Sequence, residues 1–173
     1  HDLTDYNLGI RGDTSAEIGP RWRTECEARL PASLNGAVVF NFGLNDATEQ
    51  DGEIRVPMGQ SIKNVRTMIT DAKALYPTIW VGPTPVDETR QPMITDTGDS
   101  RDKRNRRTAD YNLGFKALAY ELEIPYLDMM SKLINEADWP GLLADGLHPN
   151  PDGHQKMAGL VGAWDGWRKL LDG

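Results

Sequence analysis

The chain has 173 residues, 39% hydrophobic and 26% charged, enough for one globular domain with a real core. A formal net charge of -7 argues against a broad nucleic-acid surface, because phosphate binding draws on clustered Lys and Arg, and the one basic run is at residues 101–107. The lone Cys26 cannot form an internal bridge and no apolar run has the length of a membrane span, so disulfide scaffolds and transmembrane proteins are excluded and a reducing compartment, the cytoplasm, is the expected setting.

In chain order, residues 3–10 read as a short strand that ends in a glycine-punctuated turn at 9–12. Thr14 and Glu17 have the spacing of a capping box, and Ile18, Trp22, Cys26 and Leu30 recur every fourth residue, which predicts one helix with Pro20 in its first turn or bending it. Ala37-Val38-Val39-Phe40-Asn41-Phe42 is nearly continuous and partly β-branched, the pattern of a strand covered on both faces. Ile62, Val65, Met68, Ile69, Ala72 and Leu75 mark one face of a long helix over 57–76. Thr78-Ile79-Trp80-Val81 predicts a strand stopped by Pro83 and Pro85, and 86–100 reads as a polar loop. A helix over 102–123 turns Tyr111, Phe115, Leu118, Ala119 and Leu122 inward, and a short strand follows at 125–128. Asn150 caps one last helix with Pro151 at its first position and Met157, Leu160, Val161, Trp164 and Leu171 as its buried stripe. This alternation predicts βα units, an α/β fold and a largely parallel sheet, without internal repeats.

In such sheets the loops at the carboxyl ends of the strands converge on a crevice. Asp145-Gly146-Leu147-His148-Pro149 places a carboxylate three residues before an imidazole, so Asp145 can accept the Nδ1 proton and leave Nε2 of His148 free as a base. Pro149 biases His148 away from helical ψ. Gly9, at a strand end, offers a backbone N–H that can approach a developing negative charge with no Cβ in the way, and Asn45 in Gly43-Leu44-Asn45-Asp46 offers side-chain donors. Taken singly, each has a plain reading: an Asp-Gly turn, a turn glycine, an Asx turn with Asp46. The functional reading rests on their joint occurrence in this order.

Asn7-Leu8-Gly9-Ile10-Arg11-Gly12, then Gly43-Leu44-Asn45-Asp46, then Asp145-Gly146-Leu147-His148-Pro149 resemble the second, third and fifth sequence blocks of the SGNH hydrolases, the GDSL-family esterases and lipases. The resemblance implies a flavodoxin-like three-layer α/β/α sandwich over 1–173 as a single domain. It implies His148 as general base, Asp145 as its orienting acid, and Gly9 and Asn45 as two of three oxyanion donors. It further implies a small-molecule ester as substrate, two-step acyl transfer, and no cofactor or metal. The family's first block, which holds the serine nucleophile and follows the first strand, has no counterpart ahead of Asn7, and His1-Asp2-Leu3-Thr4-Asp5 is no signal peptide. That strand is central in the family's sheet, so we expect about 30 residues, roughly one strand-helix unit, ahead of His1.

Several alternatives accompany this reading. Gly98-Asp99-Ser100 spells the nucleophile motif, but Ser100 would need a permuted chain order, and Ser15 suits a helix start better than catalysis. Asp145, His148, Asp152 and His154 are dense in ligand atoms without a recognised zinc spacing. A non-catalytic ligand-binding relative lacking the nucleophile is a further reading. The basic run at 101–107 suits a solvated helix face, or an anionic substrate or phospholipid head group. Met129, Met130 and Trp139 suit either core or an acyl pocket, and loops such as 86–100 would set specificity.

Overall fold

The structure, a computed structural model, describes residues 3–31 and 35–172; the strand-helix unit expected ahead of His1 lies outside them. Its centre is a three-stranded parallel sheet of order β1-β4-β7, with β1 at Val38–Asn41, β4 at Thr78–Val81 and β7 at Tyr126–Leu127. The middle strand β4 is buried throughout, as a strand between two helical layers must be. One layer consists of α2 (Trp22–Arg29), α3 (Met58–Leu75) and α4 (Asn105–Glu121), whose inward residues meet Phe40, Phe42 and Trp80 in the main core. On the other face α6 (Pro151–Gly162) lays Met157, Leu160 and Val161 on Val81, Leu127 and Met129, and α7 (Asp165–Asp172) adjoins β4. Helix α5 (Met129–Leu133) follows β7 directly and is capped by Asp128, whose carboxylate accepts the Ser131 N–H at 3.0 Å. The expected α/β architecture with helices on both faces of a parallel sheet is therefore present.

Four sequence expectations need correction. Residues 3–10 form no strand: Leu3, Tyr6 and Ile10 are exposed, and no described strand pairs with them to satisfy an extended backbone. The helix expected from Thr14 onward is two, α1 (Ser15–Ile18) and α2, because Pro20 has no N–H to continue the ladder; the capping box of Thr14 and Glu17 is formed. Strand β1 is covered on one face only, with Val39 and Asn41 exposed, and its second edge has no partner among the described residues. The last helix is likewise two, α6 and α7, separated at Ala163 and Trp164.

Beside the parallel sheet lies a small antiparallel one that the sequence reading did not anticipate, of order β3-β2-β6-β5. Its strands are β2 (Glu49–Gln50), β3 (Glu53–Ile54), β5 (Met93–Ile94) and β6 (Ser100–Asp102). Part of the expected polar loop at 86–100 thus belongs to a sheet. Asp51 and Gly52, both at positive φ (51° and 89°), join β2 to β3 in the handedness that tight hairpins require. No helix among the described residues is long and apolar enough to cross a membrane.

Phe115 is fully buried and meets Trp80 with ring centroids 4.9 Å apart. Phe115→Ala removes that ring from the main core and should cost about 3–5 kcal/mol of unfolding free energy. Urea titration of both proteins measures it, and a loss under about 1 kcal/mol would contradict the packing described.

Candidate active site

Strands β1 and β4 run parallel in register, Asn41 opposite Val81, so both chains leave the sheet at the same edge. A cavity of about 320 Å³ opens there. Gly9, Asn45 and His148, from three distant segments, line it together with Gly43, Thr84 and Met157. This is the carboxyl-end crevice expected of an open α/β sheet.

The histidine is set by a short, closed loop. Ala144 N–H donates to the His148 carbonyl at 2.8 Å and Asn150 N–H to the Leu142 carbonyl at 2.8 Å, forming a narrow hairpin from 142 to 150. Asp145 organises its tip: Oδ1 accepts the N–H groups of Leu147 (2.9 Å) and His148 (2.7 Å), while Oδ2 lies 2.7 Å from His148 Nδ1. An ionised carboxylate only accepts, so Nδ1 carries the proton and Nε2 is the basic nitrogen. Burial acts to raise the Asp145 pKa, but the His148 N–H, the His148 ring and the Leu147 N–H outweigh it and hold the carboxyl well below the usual carboxylate range. Gly146 sits at φ +84°, and a Cβ there would lie 2.9 Å from Arg90 Cβ, so the turn needs a glycine. From outside, Arg90 Nη1 donates to the Ala144 carbonyl at 3.1 Å and Asp87 N–H to the Gly146 carbonyl at 2.9 Å. Directly after the loop, Asn150 caps α6 by accepting the Gly153 N–H at 2.9 Å.

Asn45 lies in the turn that follows β1. Gly43, at φ +117°, lets the chain cross the face of Phe115, where any Cβ would collide with the ring. Behind Asn45, Asp46 is fully buried; Oδ1 accepts the Ser15 N–H at 2.7 Å and Oδ2 the Ser61 hydroxyl, tying the turn to α1 and α3. The Asn45 amide donates one hydrogen to the Asp13 carbonyl at 3.0 Å, and its second hydrogen has no partner among the described residues. Gly9 N–H donates to Asn7 Oδ1 at 2.9 Å, a local turn that would have to open before this N–H could serve a ligand.

Other residues singled out by the sequence lie elsewhere. Ser100 begins β6 and donates its N–H to Asp51 Oδ1 at 3.0 Å; Ser15 is buried at the start of α1 and accepts from Asn64 Nδ2 at 3.1 Å. Neither lines the cavity. Asp145, His148, Asp152 and His154 do not gather as ligands, since among the described residues no three His, Cys, Asp or Glu side chains converge on one point. Met129, Met130 and Trp139 belong to the core. The basic run is solvated only in part: Arg104 and Arg106 are exposed, whereas Lys103 is 3% exposed and Arg107 donates to the Ala47 and Asp102 carbonyls. Sequence reasoning assigned no anchoring role to Asp46, although a charged residue directly after the oxyanion candidate was the available signal.

A family profile described as the GDSL-like Lipase/Acylhydrolase family matches residues 1–156. Among solved structures, the chain is similar to a lipase/acylhydrolase from Enterococcus faecalis, with 20% identity and a TM-score of 0.67 over 87% of this chain and 69% of that one. It is similar to a Bacteroides fragilis protein assigned as an acylhydrolase, with 25% identity and a TM-score of 0.68 over 95% of this chain and 73% of that one. A catalytic variant of the acetylxylan esterase of Geobacillus stearothermophilus shares 21% identity and a TM-score of 0.67 over 89% of this chain and 68% of that one. A search of curated proteins gives no significant match.

The Asp145 environment sets a pH dependence. Its folded-state pKa lies below the unfolded value of about 3.9, so the stabilisation it brings is complete above that value and is lost as pH falls through the lower folded-state value. A carboxyl-detected NMR titration should place the Asp145 midpoint below the ordinary range; a midpoint at or above the ordinary value would remove the described hydrogen-bond set.

Proposed function

The chain belongs to the GDSL-like lipase/acylhydrolase family, and from that membership together with the cavity we propose that it hydrolyses carboxylic esters by a Ser-His-Asp mechanism. The observation that carries the proposal is that His148, with Asp145 on its Nδ1, shares one cavity with Asn45 and Gly9. His148 Nε2 takes the proton of a serine hydroxyl as its oxygen bonds to the ester carbonyl carbon, and the carbonyl electron pair becomes an oxyanion. The free amide hydrogen of Asn45 and, once released from Asn7, the Gly9 N–H stabilise that charge. Collapse expels the alcohol, which receives the His148 proton, and water attacks the acyl-enzyme by the same sequence, returning the serine and releasing the acid. In this reading the serine belongs to the family's first block, ahead of His1. Asp145 holds the imidazole's tautomer and stabilises the imidazolium without itself taking a proton.

No serine lines the cavity among the described residues, and that favours one second reading, a ligand-binding relative without a nucleophile. A serine-directed phosphonate separates the two: the full-length enzyme gains the mass of one adduct, whereas the binder gains none.

In the full-length protein Asn45→Ala should lower kcat by about 10² to 10³, as removing one oxyanion donor does elsewhere, with circular dichroism unchanged. Wild-type turnover of p-nitrophenyl acetate by this variant would remove Asn45 from the oxyanion site. His148→Ala should reduce turnover to near background; a variant that retains full esterase activity is incompatible with the dyad as base.

A further inference from the structure

The small antiparallel sheet carries a group of hydrogen-bond donors that the proposed reaction does not use. Arg101 on β6 and Lys103 just beyond it are two residues apart, so their side chains leave the chain on the same side. Asp102 lies between them; its Oδ2 is taken by Arg104 at 2.8 Å and Arg107 at 3.7 Å, while its Oδ1 is buried with no donor among the described residues. Arg101 Nη1 reaches Gly12, 3.3 Å from the point a Cβ would occupy there, and Arg55 Nη1 donates to the Gly12 carbonyl at 2.8 Å. Two guanidinium groups therefore meet at Gly12, in the same turn as Gly9.

Lys103 is 3% exposed, and its ammonium makes no hydrogen bond or ion pair among the described residues. Gln91 Oε1 accepts the Lys103 backbone N–H at 3.3 Å, which sets the Gln91 amide beside the main chain of Lys103. Both Gln91 Nε2 and Arg101 Nε are buried without an acceptor. Nearby acids do not supply the deficit: Glu17 reaches Arg55 only at 3.4 Å and is already bonded to Thr14, Asp46 is occupied by Ser15 and Ser61, and Asp13 by Arg21. Asp102 and Asp145 act on Lys103 through their charge alone. Burial, and then the charges of Arg101 and Arg55, push the Lys103 ammonium down to about 8, as expected where cations gather without a counter-ion. Donors this numerous are not left buried without acceptors unless something else provides them.

The cluster lies between the two loops that bear the reacting groups. Gly12 is on one side; on the other, Arg90, next to Gln91, packs on Gly146 and holds the Ala144 carbonyl. We propose that Arg55, Arg101 and Lys103, with the Gln91 amide, form a subsite for an anionic oxygen group, carboxylate or phosphate, carried by the ester substrate. Guanidinium forks suit either group in a two-point contact, and the compact ammonium adds a point charge. The inference rests on the esterase reading for the word substrate; the anion site itself does not.

The test uses the full-length protein, Lys103→Met, and Arg101→Met as a second variant in case the first fails to fold. Melting is measured with sodium succinate or inorganic phosphate against sodium chloride at equal ionic strength. The wild type should gain Tm with at least one of the two anions, the larger gain identifying carboxylate or phosphate, and the variants should lose that gain. Turnover is then compared between p-nitrophenyl acetate and either p-nitrophenyl hydrogen succinate or an acetylated sugar phosphate. The anionic-to-neutral ratio of kcat/KM should fall about tenfold or more in the variants. No Tm gain beyond chloride in the wild type, or variants that keep both gain and ratio, overturns the subsite. A gain lost with an unchanged ratio overturns its part in substrate choice. If no ester is cleaved the esterase reading fails, and the melting data alone decide the anion site.

Discussion

Parallel pairing of β1 with β4 is the constraint on which the site depends. Because Val38 faces Thr78 and Asn41 faces Val81, the two strands end together and their exits flank one opening. The register is locked by aromatic packing: Phe42, the first residue past β1, stacks on Trp80 at 5.2 Å, and Trp80 rests on Phe115 at 4.9 Å. Each such pair contributes about 0.5–1.5 kcal/mol beyond its buried area. The turn carrying Asn45 therefore starts from an anchored ring, and a one-residue slip would remove Phe42 from Trp80 and Asn45 from the cavity.

Two carboxylates then finish the arrangement in different environments. Asp46 is fully buried and uses both oxygens on Ser15 and Ser61, so it ties the Asn45 turn to helices on either side in sequence. Asp145 is 42% exposed and spends one oxygen on two backbone N–H groups and the other on the imidazole. The first carboxylate fixes where a donor stands; the second fixes which nitrogen of His148 is basic. Residues 9–15 are held against the Asn45 turn, since Asn45 donates to the Asp13 carbonyl, Arg21 holds the Asp13 carboxylate, and Ser15 donates to Asp46. A change in any of these contacts would be felt at the cavity mouth without touching the dyad.

Much of this was legible in the residues. Thr78–Val81 is the strand its apolar run announced, the Thr14–Glu17 capping box forms, Asn150 caps α6, and the helix expected over 57–76 spans Met58–Leu75. What escaped the reading depended on partners or on short signals. Residues 3–10 have a strand's composition, but a strand exists only with a neighbour to bond. Val39 looked like core because a β-branched run cannot report that its own side of β1 is left uncovered among the described residues. The antiparallel sheet is built from strands of two or three residues, below the length at which alternation registers, although Asp51-Gly52 was a readable hairpin signal. The Asp145–His148 contact was the easiest to read because the two residues are close in sequence. That Gly9 N–H is engaged by Asn7 could not be read from glycine alone.

The basic run shows how far charge in a sequence is from charge in a site. On a chain of formal net charge -7, residues 101–107 looked like solvated cations, yet the fold sorts them by strand and helix geometry. Arg104 turns to Asp102 and Arg107 to Glu49 and Asp102, whereas Arg101 turns toward Gly12 and the Lys103 side chain is buried without an ion pair among the described residues. A buried ammonium beside two guanidinium groups is unfavourable in isolation, because desolvation and like-charge repulsion add. That cost falls where a bound anion supplies the missing acceptors, and in this fold the place where it falls adjoins the turn bearing Gly9 and the loop bearing His148.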